Sequence, residues 1–388
     1  MKKIYKRKSL RRLAAAICAA LTAGTLGFAP VLYAHPILDA AGAGVHIDGT
    51  ANMSINSSLE NNVIKWVDFS IGSGEKVTFD THNYLNYVTG HARSDILGTL
   101  TGGGSIYLVN PNGILIGDGA TINVGNLYLS TKNLTDAQLA DYTTATSALS
   151  AASIADGDVI NLGTLNANSV TVEGNNITFK NIADVTGKTG SADNVTVNLT
   201  AGDTLRVGYK ETGSFTKPTA PKPNNWTSNK AIDWYILVAS AADYWRIGGG
   251  ELTNNYMLGN DITFETNTYG VTFFNGTFDG LGHTITLPAE ALRPFDVIQA
   301  NGVVKNLGIH TVNRSQENVS DGALARKNYG RIENVWHTGD MTVTTNEAVN
   351  VGGIVAENHG TIIGARNLGT VTVTLAEGVE DNPHIYVG

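Results

Sequence analysis

Short segments in which apolar and polar residues alternate recur along the chain from residue 35 onward. Residues 62–66, 76–79 and 169–172 are clear cases, and this period of two is typical of half-buried strands. Most of the segments are followed closely by Gly, Asn or Asp, the residues that favour tight turns. The pattern therefore predicts an all-β protein made of many short strands.

Two short segments have a helical pattern instead. Within residues 135–142, Thr135 stands at the N-cap position and Gln138 follows three residues later, which is the spacing of a capping box. Residues 241–245 form the second segment. The sequence thus predicts few helices, all of them short.

The segment Asn110-Pro111-Asn112-Gly113 separates two strand patterns. Pro111 fixes φ near the value that a turn needs, Asn112 tolerates the left-handed region, and Gly113 takes positive φ freely. We therefore expect the backbone to run as a strand, turn sharply and run as a strand again, as a coil of stacked strands requires.

An internal repeat is visible in the second half of the chain. Residues 321–332 align with residues 351–362, and the register continues to residues 341–344 over 371–374. The identical positions are Gly322/Gly352, Asn328/Asn358, Gly330/Gly360 and Ile332/Ile362. A strand-and-turn repeat of about 30 residues predicts a solenoid, because each coil must cover the strand edges of the previous one.

Composition supports a folded, acidic protein. Charged residues make up only 15% of the chain, whereas disordered chains usually carry more charge. The formal net charge is −8, and without the seven Lys and Arg residues of residues 1–12 it becomes −15, from 19 basic and 34 acidic residues. A nucleic-acid-binding surface needs a basic footprint, so we predict no nucleic-acid partner.

Residues 1–34 have the layout of a secretory signal peptide. A basic start is followed by an apolar, Ala-rich run and by a cleavage position after Ala34. The alternative is a membrane anchor, although Gly24, Gly27 and Pro30 make the run only weakly hydrophobic. Cleavage at Ala34 would also remove Cys18, the one cysteine, so the mature chain is expected to fold without disulfides.

A proline-rich segment divides the remaining chain. Residues 211–230 hold three of the nine prolines and few apolar residues, which is typical of a linker. We therefore predict one domain over residues 35–210 and a second over residues 231–388.

Candidate chemistry is sparse. Asp261, Asp279 and Asp321 are the best acids of the repeat region, but no paired-acid pattern of a glycosidase or lyase stands out. Asp279 lies in a Phe-Asp-Gly turn, where a carboxylate usually caps the backbone. We predict no catalytic residue, no cofactor and no enzymatic activity.

Three histidines and several asparagines suggest contacts between coils. His283, His310 and His337 recur at intervals of 27, which would allow a metal ladder, but the clearest repeat places Asn367 beside His337. We therefore predict no metal. Amide ladders are expected between Asn306 and Asn334 and between Asn328 and Asn358, while Trp226, Trp234 and Trp245 are assigned to core packing or helix docking rather than to glycan stacking.

Residues 37–145 resemble the secretion domain of filamentous-haemagglutinin-like exoproteins, the substrates of two-partner secretion. The strings that carry the resemblance are residues 56–66, 69–79, 104–117 and 122–131. The resemblance implies a right-handed parallel β-helix (a solenoid with short extra-helical strands) that is recognised by an outer-membrane pore protein. Asn110, Pro111, Asn112 and Gly113 match the family's first secretion motif, whereas its second motif, Asn-Pro-Asn-Leu, has no clean counterpart near residues 74–77.

The second half looks like the β-helical module with GLUG repeats of bacterial surface proteins. Together the two resemblances imply a secreted or surface-exposed exoprotein of a diderm bacterium, which acts in adhesion or haemagglutination through an unknown receptor such as a glycan. Two alternatives stay open: a β-helical carbohydrate-active enzyme, and the truncated stalk of a contact-dependent toxin.

Overall fold

A computed structural model describes residues 35–142, 149, 152–188, 190, 194–210, 223–248, 252–265, 270–377 and 385–387. The predicted signal peptide with its cleavage position Ala34, and residues 211–222 of the predicted linker, lie outside these ranges. The described residues fall into two compact units. The N-terminal unit contains residues 35–209 and 223–234, and the C-terminal unit contains residues 235–387.

The N-terminal unit consists almost entirely of short strands. They are β1 (Ile37–Ala41), β2 (Val45–Asp48), β3 (Asn52–Ser57), β4 (Asn61–Asp68), β5 (Lys76–Phe79), β6 (Asn83–Val88), β7 (Ser94–Ile96), β8 (Thr99–Thr101), β9 (Ser105–Val109), β10 (Ile114–Ile116), β11 (Thr121–Asn123), β12 (Asn126–Ser130), β13 (Val159–Asn161), β14 (Thr164–Asn166), β15 (Ser169–Gly174), β16 (Ile177–Phe179), β17 (Val185–Thr186), β18 (Thr196–Ala201), β19 (Leu205–Tyr209) and β20 (Trp226–Ser228), with helix α1 (Asp136–Tyr142) and a 3-10 turn (Ile182–Asp184).

Successive strands of this unit belong to three different sheets. The strand orders are β1-β4-β6-β9-β12-β15-β18-β20, β2-β3-β5-β8-β11-β14-β17 and β7-β10-β13-β16-β19. The pairs β1–β4 and β2–β3 are antiparallel, and the pairs between later coils are parallel. From β6 to β17 each coil thus contributes one strand to each sheet, which confirms the predicted all-β parallel β-helix.

Parallel pairing stacks apolar side chains inside the coils. In the first sheet, Ile106 pairs with Leu127, Leu127 pairs with Val170, and Val170 pairs with Val197. All four side chains are buried. Because each buried aliphatic side chain contributes about 1.5–3 kcal/mol, the stack is the main source of stability that a coil gains from its neighbours.

Helix α1 lies in an excursion from the coil. The Thr135 N–H donates to Gln138 Oε1 at 2.9 Å, and the Gln138 N–H donates to Thr135 Oγ1 at 3.3 Å, so the predicted capping box is confirmed. Leu139 and Tyr142 of α1 pack with Leu85 and Val109 in a small cluster separate from the main core. The excursion therefore covers a patch of the first sheet.

The strand β20 falls within the interval predicted as linker. It pairs in parallel with β18, Val197 with Trp226 and Leu199 with Ser228. The ring of Trp226 packs edge-on against Phe179 with centroids 5.5 Å apart. Residues 226–228 are thus part of the N-terminal unit's sheet.

The C-terminal unit is also built from strands. They are β21 (Asp233–Val238), β22 (Asn255–Leu258), β23 (Ile262–Thr263), β24 (Val271–Phe274), β25 (Thr277–Asp279), β26 (Thr284–Leu287), β27 (Phe295–Ile298), β28 (Val303–Glu317), β29 (Asp321–Gly322), β30 (Ala325–Asn328), β31 (Arg331–Thr345), β32 (Val349–Gly352), β33 (Val355–Asn358), β34 (Thr361–Ile363), β35 (Arg366–Asn367), β36 (Thr370–Leu375) and β37 (Ile385–Val387), with helix α2 (Ala241–Gly248). No helix in the described part of the chain is long and apolar enough to span a membrane.

The internal repeat corresponds to stacked coils. Strand β28 pairs in parallel with β31 along most of its length, and β31 pairs with β34, β35 and β36. The strands β24-β27-β30-β33 and β29-β32-β37 form further parallel sheets. Asp321 pairs with Val351 and Met341 with Val371, as the alignment of the repeats requires.

The predicted amide ladders are present at the corners. The Asn328 Nδ2 donates to Asn358 Oδ1 at 2.7 Å, and the Asn334 Nδ2 donates to Asn306 Oδ1 at 3.3 Å. Asn306 and Asn334 have φ values of 51° and 50°, in the left-handed region that Asn tolerates. Asn306 and Asn334 therefore form bends of the backbone, and both asparagine pairs satisfy polar groups between coils.

The three histidines do not form a ladder. His310 pairs with Thr338, while His337 pairs with Ile309 on one side and Asn367 on the other. The described residues contain no group of three or more metal-binding side chains. The 27-residue interval misleads because the coil between β28 and β31 is one residue longer.

Two further assignments can be compared with the structure. Asp279 accepts a hydrogen bond from the Leu281 N–H at 3.0 Å, so its role as a turn cap is confirmed. Trp234 packs against Tyr209 with ring centroids 6.0 Å apart. Trp245 lies on α2 and is 46% exposed, so of its two predicted roles core packing is wrong, because Tyr244 and Ile247 provide the buried side of this helix. Helix docking of Trp245 stays a prediction.

Asp321, one of the candidate acids, has a structural partner. Its side chain and that of Arg314 are fully buried, with Nη1 of Arg314 2.6 Å from Oδ2 of Asp321. Arg293 lies 2.7 Å from the other carboxylate oxygen, and the Arg314 Nε donates to the carbonyl oxygen of Ala291 at 3.0 Å. One coil later, Met341 and Val351 occupy the register positions of Arg314 and Asp321.

We predict that Asp321→Ala destabilises the protein by about 3–5 kcal/mol, because it leaves the buried Arg314 charge unpaired. The double variant Arg314→Met, Asp321→Val copies the next coil and is expected to recover most of this loss. Urea unfolding followed by circular dichroism measures both. A double variant as unstable as Asp321→Ala would contradict this account.

Burial lowers the pKa of His337, and the hydrogen bond with Asn367 opposes the shift. Arg314 and His310 also lower it, and Asp340 raises it. The neutral ring suits its site, because Nδ1 lies 2.8 Å from Asn367 Oδ1 and Nε2 lies 2.9 Å from Thr311 Oγ1.

We predict that the C-terminal unit loses stability as the pH falls below about 6.5, the pKa at which unfolded histidine takes up a proton. The folded state resists protonation, so the unfolded state binds more protons in this window. Melting temperatures from pH 7.5 to 5.5 test this, and His337→Gln should reduce the dependence. An equal slope for both proteins would refute the role of His337.

Candidate functional site

The predicted motif forms a tight turn between β9 and β10. The Gly113 N–H donates to the carbonyl oxygen of Asn110 at 3.0 Å, which closes the turn. Gly113 has a φ of 113°, a value that residues with a Cβ rarely adopt. The predicted turn is thus present, with Gly113 and not Asn112 in the positive-φ region.

Asn110 holds the turn from the inside. Its side chain is fully buried, and its Nδ2 donates to the carbonyl oxygen of Ala92 at 2.9 Å and to Ser94 Oγ at 3.0 Å. Its Oδ1 accepts from the Asn112 N–H at 2.9 Å. One side chain therefore links the turn to the preceding coil and also shapes the turn itself.

Asn112 lies on the outer side of the turn and is exposed. Its Nδ2 donates to the carbonyl oxygen of Gly90 at 2.9 Å and lies 3.2 Å from Asn110 Oδ1. Pro111, beside it, is half-buried. The turn therefore offers Pro111 and Asn112 to a partner, while Asn110 and Gly113 are buried.

The following coil closes over the turn. The Ile114 N–H donates to the carbonyl oxygen of Asp158 at 2.9 Å. A Cβ at Gly157 would lie 2.5 Å from the carbonyl oxygen of Pro111 and 2.6 Å from the Gly113 nitrogen. Only glycine leaves room there for the turn.

Sequence reasoning found the turn but missed these supports. Ala92 and Ser94 precede it by nearly a whole coil, and Gly157 and Asp158 follow it only after the excursion that carries α1. The recurrence of Gly between strands is the signal that marks such close approaches, but it does not identify the partner. The missing information is the length of each coil.

The region in which a second motif was sought also contains a turn. The Glu75 N–H donates to the carbonyl oxygen of Gly72, and the Gly72 N–H donates to Glu75 Oε2, both at 2.9 Å. Glu75 is buried, and Gly74 has a φ of 80°. The carboxylate of Glu75 thus closes this turn from within, without a buried asparagine.

The sequence that contains this turn matches a known family of secretion domains. The family model of the TPS secretion domain, where TPS stands for two-partner secretion, matches residues 33–242. The match covers more than half of the chain and includes the whole Asn110–Gly113 turn. The resemblance of the N-terminal residues to that secretion domain is thereby confirmed, whereas the resemblance to GLUG repeats stays a prediction.

Curated relatives match a shorter part. Two heme/hemopexin-binding proteins of Haemophilus influenzae are 42% and 41% identical to this chain over 86 residues, or 21% of the chain. The matched part spans about a tenth of the length of these relatives, 10% and 9%.

Two solved structures are also similar. The HMW1 secretion domain from Haemophilus influenzae is 16% identical with a TM-score of 0.31, and the match covers 88% of this chain and 98% of that one. The filamentous hemagglutinin secretion domain is 12% identical with a TM-score of 0.27, and the match covers 92% and 100%.

We predict that Asn110→Ala costs about 2–4 kcal/mol, because it removes four side-chain hydrogen bonds at a buried position. Asn112→Ala removes contacts at an exposed position and is expected to cost less than about 1 kcal/mol. Denaturant unfolding of the two variants measures the difference. Equal costs would show that Asn110 does not hold the turn.

Proposed function

Because the chain belongs to the TPS secretion domain family, we propose that it is an exoprotein of two-partner secretion, with its N-terminal unit acting as the secretion signal. The observation that carries the proposal is the family match over residues 33–242 together with the Asn110–Gly113 turn. The partner is an outer-membrane pore protein, and the place of action is outside a diderm cell or on its surface. Residues 1–34, cleaved after Ala34, would direct the chain across the inner membrane.

The stacked architecture suggests how export proceeds. A coil cannot pair its strands or bury its core before it leaves the pore, so folding outside opposes backward movement of the chain. Each added coil buries several aliphatic side chains at about 1.5–3 kcal/mol each. Folding would thus favour outward movement without a nucleotide as the energy source.

The turn at Asn110–Gly113 is the part of the signal that we assign to recognition. Asn112 and Pro111 lie where a partner can reach them, and Asn110 keeps them in place through Ala92 and Ser94. Recognition would then depend on the folded turn, or on its sequence in the extended chain before folding. In both cases the motif binds the pore partner, whereas the other turns of the coil only change the direction of the backbone.

We assign the C-terminal unit to adhesion, as a β-helical module of the GLUG type that follows the secretion domain. Its stacked strands and amide ladders suit a stiff stalk or binding surface. The absence of enzymatic activity stays a prediction.

We predict that Asn110→Ala reduces secretion at least about tenfold when the chain is expressed with its partner pore, a loss of about 1.4 kcal/mol or more in recognition. Secreted and periplasmic protein are quantified by immunoblot. The matched control is Asn62→Ala, because Asn62 is also buried and its side chain makes three hydrogen bonds, to Ser57, Leu59 and Asn83.

The two variants separate recognition from stability. If Asn110→Ala blocks secretion while Asn62→Ala does not, the motif acts in recognition. Equal losses would reduce the motif to a structural corner, and unchanged secretion of both would remove it from the export mechanism. Secretion of the wild-type chain without any pore partner would contradict the proposed function as a whole.

A further inference from the structure

An outward-facing column of residues crosses the coils of the C-terminal unit. Parallel register places Thr284 beside Gly308, Gly308 beside Trp336, and Trp336 beside Arg366. The next residue after Trp336, His337, is buried inside the coil. Because side chains alternate along a strand, the column must lie on the outer face of the sheet.

Trp336 lies on the backbone of Gly308. A Cβ at Gly308 would be 2.7 Å from both Cε2 and Cζ2 of the indole, so the ring occupies the space that a side chain would need. Gly308 is buried beneath it, and Trp336 is itself half-buried. The side of the indole away from Gly308 is therefore the side that solvent reaches.

The polar groups of this column are unused. Within the described part of the chain, neither the side chain of Trp336 nor that of Arg366 makes a hydrogen bond or an ion pair. Arg366 is exposed and stands one coil beyond Trp336. An indole N–H and a guanidinium with five donors thus lie side by side without an acceptor.

Hydroxyl and imidazole groups flank the indole. His310 follows Gly308 by two residues and therefore lies on the same face, with Thr286 and Thr338 beside it on the neighbouring coils. The ring nitrogen Nδ1 of His310 lies 3.0 Å from Thr338 Oγ1. The surroundings of the indole are polar and can both donate and accept hydrogen bonds.

We infer that Trp336, Arg366 and His310 form a binding surface for an acidic sugar residue of a glycan. The solvent side of the indole offers an apolar plane for one face of a pyranose ring, as amphipathic aromatic side chains do in binding sites. The guanidinium of Arg366 matches a carboxylate in charge and in its bidentate geometry. His310 and Thr338 can bind the sugar hydroxyls.

The structure favours a glycan over a peptide. A peptide strand adds to an open sheet edge, whereas Trp336 lies on the outer face of β31, which is paired with β28 on one side and with β34, β35 and β36 on the other. Among the described strands β35, which carries Arg366, pairs only with β31, so strand addition at that edge is what the peptide competitor tests. A peptide helix needs an apolar groove, and the groups around Trp336 are threonines and a histidine. An acidic peptide is therefore a competing outcome that the experiment must separate.

Titration calorimetry of the purified full chain tests the inference and does not depend on export. The probes are oligogalacturonate and sialyllactose, which separate uronic from sialic acids, with their neutral counterparts, methyl-esterified oligogalacturonate and lactose. We expect at least one acidic probe to bind and its neutral counterpart to bind at least about tenfold more weakly, because the neutral probe lacks the charged acceptor for the Arg366 guanidinium.

Trp336→Ala and Arg366→Gln should each weaken binding of the acidic probe about tenfold or more. Trp336→Phe retains an aromatic plane and should lose less, which guards against a folding defect in the alanine variant. Trp245→Ala and Arg331→Gln are matched controls, since Trp245 is an exposed tryptophan on α2 and Arg331 is an exposed arginine paired with Glu333. Melting temperatures verify that all variants fold.

Three results would overturn the inference. In the first, neither acidic probe binds. In the second, correctly folded Trp336→Ala and Arg366→Gln bind the acidic probe as well as the wild type does. In the third, a hexaglutamate peptide displaces the bound sugar as effectively as the free acidic sugar does. The last result would show attraction between charges without recognition of a sugar. Failure of secretion in the export assay would leave this surface unaffected.

Discussion

The structure depends on in-register parallel pairing between each coil and the coils on both sides of it. The buried Asn110 illustrates the constraint, because its amide donates to Ala92 and Ser94 of the preceding coil, while Gly157 of a later coil leaves the space that the turn occupies. A turn of this kind has little stability alone, since its polar groups would otherwise compete with water. Corner, strand and core therefore form together or not at all, and stability is added one coil at a time.

This constraint gives the N-terminal unit a direction. Its first strands are antiparallel, with β1 on β4 and β2 on β3, whereas later coils add parallel strands. The antiparallel strands cover edges that would otherwise be open to pairing with another chain. If the chain leaves a pore with this unit first, the N-terminal end of the stack of coils is covered by the antiparallel strands. The C-terminal end of the stack stays open, and each new coil can pair there as soon as it emerges.

The sequence predicted what is local or repeated, and it failed where a coil departs from its neighbours. The alternation of strands, the capping box at Thr135 and the amide ladders follow from residue types and offsets. Coil length does not: Asn126 contacts Ser105, 21 residues back, but Ser169 contacts Asn126 only after 43 residues, because the α1 excursion intervenes. The 27-residue spacing of the three histidines does not stack them for the same reason, whereas the repeat correctly places Asn367 beside His337. No periodicity marks a buried charge that occurs in one coil only.

Such departures also answer a question that a repeated sequence raises, namely what prevents a coil from stacking on the wrong neighbour. Asp296 accepts hydrogen bonds from Nε and Nη2 of Arg326 on the next coil, and one coil further the same register position holds Ala356. Skipping a coil would cost Asp296 both hydrogen bonds from Arg326, and Arg293 would face Val351 instead of Asp321. Apolar side chains of different size also occupy equivalent positions, as Phe295, Ala325 and Val355 do, but hydrophobic burial has no directional partner that a slip would remove. Charges that find a partner on only one neighbouring coil therefore specify the order of the coils, as single polar residues specify register in coiled coils.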